Sequence, residues 1–274
     1  MEISFDKMSA IGNDFIMIDG RVIEARLVLP HTKELCDRRF GIGGDGVIAV
    51  LSSKIADFRM QIINSDGSEA QMCGNGIRCF AHWLKERGEF TSKELTVETL
   101  AGIMRIESVG ESRYRVNMGR ATTDPAKIPV VGNDNSVKFS FFEDEFRGLS
   151  VSMGNPHTIF FVDTITDKQV FEYGPKIELD KVFPDKSNVE FVELESRKNV
   201  SMRVWERGCG ETLACGTGAC AVVVAGVLEG KLDENVTVHL RGGDLEIEWC
   251  GDLSKPVFMA GDANRIFRGV INIK

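Results

Sequence analysis

Cys73-Gly74-Asn75-Gly76 and Cys215-Gly216-Thr217-Gly218 lie 142 positions apart, and each precedes a predicted helix, Ile77 to Gly88 and Ala219 to Gly230. The offset extends well beyond the two turns. Gly12-Asn13 meets Gly154-Asn155, Val47 meets Val189, Met60 meets Met202, Glu69 meets Glu211 and Gly88 meets Gly230. After a slip of one residue, Thr96-Val97 and Gly102 meet Thr237-Val238 and Gly243. One register held over such a span reads as two copies of one unit. We expect a first domain over 1–118, completed by 263–274, and a second, homologous domain over 119–262.

The 274 residues suffice for two such domains, each with its own core. Hydrophobic residues at 43% and charged residues at 27% are ordinary for a globular chain. A formal net charge of −8 argues against nucleic acid or anionic membrane as a partner. No apolar run reaches the roughly 20 residues of a membrane span. The start, Met1-Glu2-Ile3-Ser4-Phe5-Asp6, has no signal-peptide pattern, which places the protein in the cytoplasm. Seven cysteines fit a reducing compartment better than a disulfide framework. None is spaced as Cys-x-x-Cys, and no metal site is expected.

Strand signals dominate the chain. They cover Phe15–Asp19, Val47–Leu51, Phe58–Asn64, Leu95–Glu98, Ile103–Ser108 and Tyr114–Met118, then Thr158–Val162, Val189–Leu194, Val200–Trp205, Val236–Leu240 and Leu245–Trp249. Between the sets, Pro125 and Pro129 mark a crossing over Thr123–Val131. Further helices are expected at Leu29–Arg39 and Asp167–Leu179, and a last strand at Ile266–Ile273. Hairpin-linked strands outnumbering helices predict an α+β fold, two pseudosymmetric units of mostly antiparallel sheet. The stretch Gly41-Ile42-Gly43-Gly44-Asp45-Gly46 lacks both the spacing and the following helix of a dinucleotide loop.

A cysteine at a helix start meets unpaired N–H groups and the positive end of the dipole, which favour the thiolate. Flanking glycines let the backbone approach a ligand, and the same N–H groups can hold a carboxylate. A lone cysteine in a tight turn is most often a small core residue. Two in matched contexts point instead to a base and an acid acting on opposite faces of one carbon, stereoinversion without a cofactor. Asn64 and Glu206 stand nine residues before their cysteines, Asn13 pairs with Asn155, and Phe15 pairs with His157. Asparagine there can serve both an ammonium and a carboxylate, and Arg207 can fork onto a carboxylate. Cys36, Cys79, Cys209, Cys220 and Cys250 lack such matched settings and read as core or incidental.

These residues also carry a resemblance. Asn64-Ser65-Asp66-Gly67-Ser68-Glu69 leading to Met72-Cys73-Gly74-Asn75-Gly76-Ile77-Arg78-Cys79 closely resembles the signature of the diaminopimelate epimerases. So do Gly12-Asn13-Asp14-Phe15, Gly154-Asn155-Pro156-His157, Asn188-Val189-Glu190-Phe191 and Trp205-Glu206-Arg207-Gly208-Cys209-Gly210-Glu211-Thr212, the last running into Ala214-Cys215-Gly216-Thr217-Gly218. The resemblance implies interconversion of LL- and meso-diaminopimelate without pyridoxal phosphate or another cofactor, on the way to lysine and, in most bacteria, peptidoglycan. It implies Cys73 and Cys215 as catalytic thiolate and thiol, with His157 and Glu206 tuning them. Gly74, Asn75, Gly216 and Thr217 would cradle the carboxylate at the reacting carbon. Asn64 and Glu206 would meet its amine, while Asn13, Asn155, Asn188 and Arg207 would hold the distal end. It further implies units built around central helices, a ligand cleft between them, and a homodimer. Some members carry glutamine where this chain has Gly46, the counterpart of Asn188. Two other readings remain, a relative acting on another amino acid such as proline, and a thiol-redox sensor.

Overall fold

The computed structural model describes residues 1–132, 134–141 and 144–273. Lys274, the end of the expected 263–274 segment, lies outside them, as do Asn133, Phe142 and Glu143 of the expected 119–262 domain. The chain divides into two compact units, one of Met1–Asn117 with Ala260–Lys274, the other of Met118–Met259. Among the described residues no helix is long and apolar enough to cross a membrane.

The first unit opens with β1 (Glu2–Ala10), β2 (Asn13–Asp19), α1 (Ala25–Val28) and α2 (Thr32–Cys36). There follow β3 (Gly46–Leu51), β4 (Phe58–Asn64), β5 (Glu69–Ala70), α3 (Gly74–Glu86), β6 (Glu94–Thr99), β7 (Gly102–Ser108) and β8 (Arg113–Asn117). The second unit comprises β9 (Ser136–Phe141), β10 (Asp144–Ser152), β11 (Pro156–Val162), α4 (Gly174–Glu178), β12 (Asn188–Ser196), β13 (Asn199–Glu206), β14 (Gly210–Glu211), α5 (Gly216–Leu228), β15 (Asn235–Leu240) and β16 (Gly243–Glu248). After β17 (Phe258–Asp262), β18 (Asn264–Asn272) pairs antiparallel with β1.

The internal repeat is visible in the pairing. Phe15 stands opposite Gly46 in the parallel pair β2–β3, and His157 opposite Asn188 in the parallel pair β11–β12. Ile63 faces Glu69 where Trp205 faces Glu211. The one-residue slip also survives, with Val97 facing Met104 and Val238 facing Leu245. Most pairs are antiparallel. In each unit one parallel pair is bridged by short helices and another, β4–β6 or β13–β15, by the central helix, the crossover a parallel pair needs.

Side-chain alternation gives each sheet two buried faces. Val47 and Ala49 join Ile16, Ile18, Val28 and Leu35 in an outer core beneath α1 and α2. Ile48 and Ile62 point the other way, onto the start of α3. In the second unit Val189 and Phe191 join Phe160, Tyr173 and Phe183 in the outer core. Helix α5, Gly-Thr-Gly-Ala-Cys-Ala-Val-Val-Val-Ala-Gly-Val-Leu, carries no charge and is buried almost all round, as a helix packed by β10, β11, β12 and β16 requires. Asp6 ties three elements of the first unit, accepting from Trp83 Nε1 at 2.8 Å, Arg87 at 3.0 Å and Arg268 Nε at 2.8 Å. Burial opposes its charge, but these donors outweigh it and hold the carboxyl below its usual range.

Of two further expected helices, one ends early and the other is widened in its middle. Over Leu29–Arg39 the chain forms a 3-10 turn, Leu29–His31, and then α2, which stops at Cys36. Asp37 leaves helical geometry at ψ 123° and its carboxylate accepts from the N–H groups of Arg39 and Phe40. Over Asp167–Leu179 the chain is helical through 167–178, as expected, but its middle, Gln169–Tyr173, widens into a π turn ahead of α4. Pro175, which lacks an N–H, lies just past that widened turn.

Candidate active site

Each unit builds a half-site at the start of its central helix. Cys73 is the N-cap of α3 with φ −139°, and its Sγ accepts from Gly76 N–H at 3.4 Å. Cys215 repeats this on α5 with φ −128° and a 3.4 Å bond from Gly218 N–H. The next N–H groups, of Ile77 and Ala219, return to the cysteine carbonyls. The N–H groups of Gly74, Asn75, Gly216 and Thr217, in the first turn, have no acceptor within their own helix. The glycine three residues after each cysteine is closely packed. A Cβ at Gly76 would lie 3.0 Å from Ile48 Cδ1, and one at Gly218 would lie 2.8 Å from Glu190 Oε1.

The asparagines come in by a common device. Gly12 and Gly154 take φ of 85° and 97°, turning the chain so that Asn13 and Asn155 enter beside the cysteines. Cys73 Sγ lies 3.7 Å from Asn13 Oδ1, which also accepts from Asn75 Nδ2 at 3.4 Å. The fully buried Arg78 braces this group, donating to Asn75 Oδ1 at 2.9 Å and Gly74 O at 3.1 Å. Asn13 Nδ2 donates to Asp45, which Arg38 holds from the other side at 2.9 Å. Gly46 has no room for a side chain, since its Cβ would sit 2.6 Å from Ile63 O. Asn64, at the end of β4, donates to Ser68 Oγ at 3.0 Å.

In the second unit Asn155 Nδ2 donates to Thr217 Oγ1 at 3.4 Å, and Thr217 Oγ1 lies 3.6 Å from Cys215 Sγ. Asn155 Oδ1 faces His157 Nε2 at 3.1 Å. Asn188 is buried, donating to Pro156 O at 2.7 Å and accepting from Arg207 N–H at 2.9 Å, so it braces the backbone that carries the Arg207 guanidinium. That guanidinium is exposed and rests on Asp185 O at 2.9 Å. Glu206, in the place of Asn64, accepts from Thr212 Oγ1 and stands beside Cys215.

The electrostatics correct one expectation. A helix start should lower a thiol pKa, yet burial, then Glu206, then Glu190 raise that of Cys215 well above its ordinary value. The Gly218 N–H and the Thr217 hydroxyl are too weak to reverse this. Cys215 is therefore held in its protonated, thiol form. Burial also raises Glu206, against the pull of Thr212 and His157. Away from the half-sites, burial lifts Cys36 to about 11 and pushes Cys79 higher still, which leaves both inert.

The residue types named from sequence thus gather as two sets, Cys73 with Asn13, Gly74 and Asn75, and Cys215 with Asn155, His157, Glu206, Gly216 and Thr217. Sequence reasoning missed Arg78, Asp45 and Thr212 as their supports, and gave Glu190, quoted only within a motif, no role. Glu190 was detectable as a charge within the apolar run Val189, Phe191, Val192. His157, Glu190 and Cys215 are the one group among the described residues whose ligand atoms lie within 4.8 Å of one another. His157 Nδ1 and Glu190 Oε1, however, are 2.6 Å apart. Two ligands at about 2.0 to 2.2 Å from a tetrahedral zinc stand well over 3 Å apart, so this is a hydrogen-bonded pair.

Comparison with known proteins places the chain in a family. The family model described as diaminopimelate epimerase matches residues 5–123 and 149–266. A diaminopimelate epimerase of Moorella thermoacetica is 46% identical, over 97% of this chain and 98% of that protein. One of Halothermothrix orenii is 47% identical, over 100% and 99%. Among solved structures, a PhzF-family phenazine biosynthesis protein of Bacillus anthracis superposes with a TM-score of 0.73 at 18% identity, covering 100% of both chains, and so shares the fold.

Proposed function

The chain belongs to the diaminopimelate epimerase family, and on that premise we propose that it works with Cys73 and Cys215 as its paired thiolate base and thiol acid. The reaction is the interconversion of LL- and meso-diaminopimelate, and it serves lysine synthesis. The observation that carries the two-thiol reading is the matched N-cap geometry of the cysteines, each accepting from the N–H three residues on at 3.4 Å.

In this reading one thiolate removes the α-proton and the other thiol returns a proton from the opposite face. The carboxylate on that carbon takes the charge that develops. The N–H groups of Gly74, Asn75, Gly216 and Thr217 stabilise it, a preorganised set that needs no reorganisation as charge grows. Asn64 and Glu206 receive the adjacent amine. Asn13, Asn155, Asn188 and Arg207 bind the distal amino-acid end, Asn188 chiefly by bracing Arg207. His157 and Glu206 set the state of Cys215. No cofactor is called on for the proton transfers.

Incubating reduced protein with LL-diaminopimelate in deuterium oxide tests the reading. The expected product is meso-diaminopimelate with deuterium at one α-centre. A folded, fully reduced sample giving neither exchange nor product would overturn it.

We also propose a cytoplasmic homodimer. The thiol-rich composition supports the location, and exposed Ile266 (55%), Phe267 (46%) and Val270 (58%) on β18 support the association. Sedimentation equilibrium should return twice the chain mass of 30.3 kDa, and a single-chain mass at micromolar concentration would refute the dimer.

A further inference from the structure

Glu190 occupies a position that the fold reserves for an apolar side chain. On β12 it points inward, between Val189 and Phe191, which belong to the outer core. Its counterpart at the 142-residue offset is Ile48, which meets α3 at Gly76 as Glu190 meets α5 at Gly218. The counterpart of His157 is Phe15, equally buried. Behind Cys73 the chain has thus placed Phe15, Ile48 and Asn64, and behind Cys215 it has placed His157, Glu190 and Glu206. Every member of the second set can ionise, and none of the first can.

The Glu190–His157 pair is entirely shut off from solvent, at 0% exposure for both side chains. Glu190 Oε1 lies 2.6 Å from His157 Nδ1, while Glu190 Oε2 has no hydrogen-bond partner. With Nε2 facing Asn155 Oδ1 at 3.1 Å, both ring nitrogens of His157 face oxygen. The ring is thereby held at both ends. The Glu190 carboxylate also stands within 4.8 Å of Cys215 Sγ. A buried carboxylate with one orphaned oxygen is costly where isoleucine would pack. Packing therefore does not explain it.

We propose that Glu190 is a positioning residue for the reaction, locking His157 against Asn155 and, together with Glu206, keeping the proton on Cys215 while Cys73 rests as the thiolate. The groups facing Cys215 are Glu206 from β13, Glu190 from β12, His157 from β11, and the Thr217 hydroxyl with the Gly218 N–H from its own helix. The two half-sites are consequently unequal. The isomer whose α-hydrogen is offered to Cys73 is the one the resting protein accepts without first moving a proton. This inference rests on the two-thiol reading above.

The test is alkylation of each thiol by iodoacetamide as pH is raised, read peptide by peptide by mass spectrometry beside kcat and KM. Glu190→Gln keeps the shape and removes the charge. Losing a negative neighbour favours the thiolate, so the Cys215 alkylation midpoint should fall by about one pH unit, a tenfold gain in thiolate fraction. The Cys73 midpoint should stay put, and kcat should fall at least about tenfold with KM nearly unchanged. Glu190→Asp keeps the charge but withdraws it from His157. It should hold the Cys215 midpoint near the wild-type value while kcat still falls. Either variant with both wild-type kcat and a wild-type midpoint overturns the proposal. A fully active Cys215→Ser protein would instead sink the two-thiol reading, so the two failures are distinguishable.

Discussion

Cys73→Ser and Cys215→Ser should each lower epimerisation by about two to four orders of magnitude, the range over which a positioned acid or base contributes. Serine fits either N-cap, and its hydroxyl can accept from Gly76 or Gly218 N–H as sulfur does, so the fold should persist. What disappears is a group able to part with a proton near neutral pH, because a hydroxyl ionises far too weakly. The loss should appear in both directions of reaction, since each direction uses one thiol as base and the other as acid. Initial rates from each isomer, with circular dichroism to confirm folding, check this. Near-normal turnover by either variant would remove that thiol from the mechanism.

Gly218→Ala is the second large effect, and its twin Gly76→Ala supplies the control. At Gly218 the new methyl meets Glu190 Oε1 at 2.8 Å and Cys215 Sγ at 3.2 Å. Neither neighbour yields easily, one held in a buried pair with His157 and the other capping the helix. At Gly76 the nearest atom is Ile48 Cδ1, the tip of a flexible side chain, at 3.0 Å. Displacing a reacting group by about 1 Å can cost about 100-fold, so kcat for Gly218→Ala should fall by roughly that factor. Gly76→Ala should lose less than about tenfold. Both should be destabilised by about 1 to 3 kcal/mol through overpacking. Paired kcat values and urea unfolding curves decide the matter, and equal kcat losses would contradict the asymmetry between the two helix starts.

The repeat made much of this legible. Matching residues at one offset located both central helices, most strands and both thiols, because a repeated unit must satisfy the same packing twice. Strands β1, β5, β9, β10, β14 and β17 escaped, and β10 shows why. Its alternation is interrupted by Arg147-Gly148, and Gly148 is there because the Phe160 ring of β11 lies 2.6 Å from where its Cβ would be. That reason lies on a neighbouring strand, and no local pattern reveals it. The same holds for the supports of the half-sites. Arg38 reaches Asp45 and Asp14, and Arg78 reaches back to Gly74 and Asn75, through contacts that strand and helix placement create. Glu190 was readable as an anomaly, but its meaning depends on which face of β12 is inward.

The pairing of β18 with β1 sets the order in which the two units can be finished. Glu2 faces Asn272 and Asp6 faces Arg268, whereas Met118–Met259 is one unbroken stretch. The middle of the chain therefore holds all it needs to fold locally, while the beginning must wait for the end. Closing so long a loop adds little to the equilibrium cost, which grows only logarithmically, but non-local pairing slows the search. During synthesis β1 and Asp6 stand without these partners, so the first-made segment is the one most exposed to misassembly. Joining residues 1 and 273 through a short linker and opening the chain between Asn117 and Met118 would make each unit contiguous.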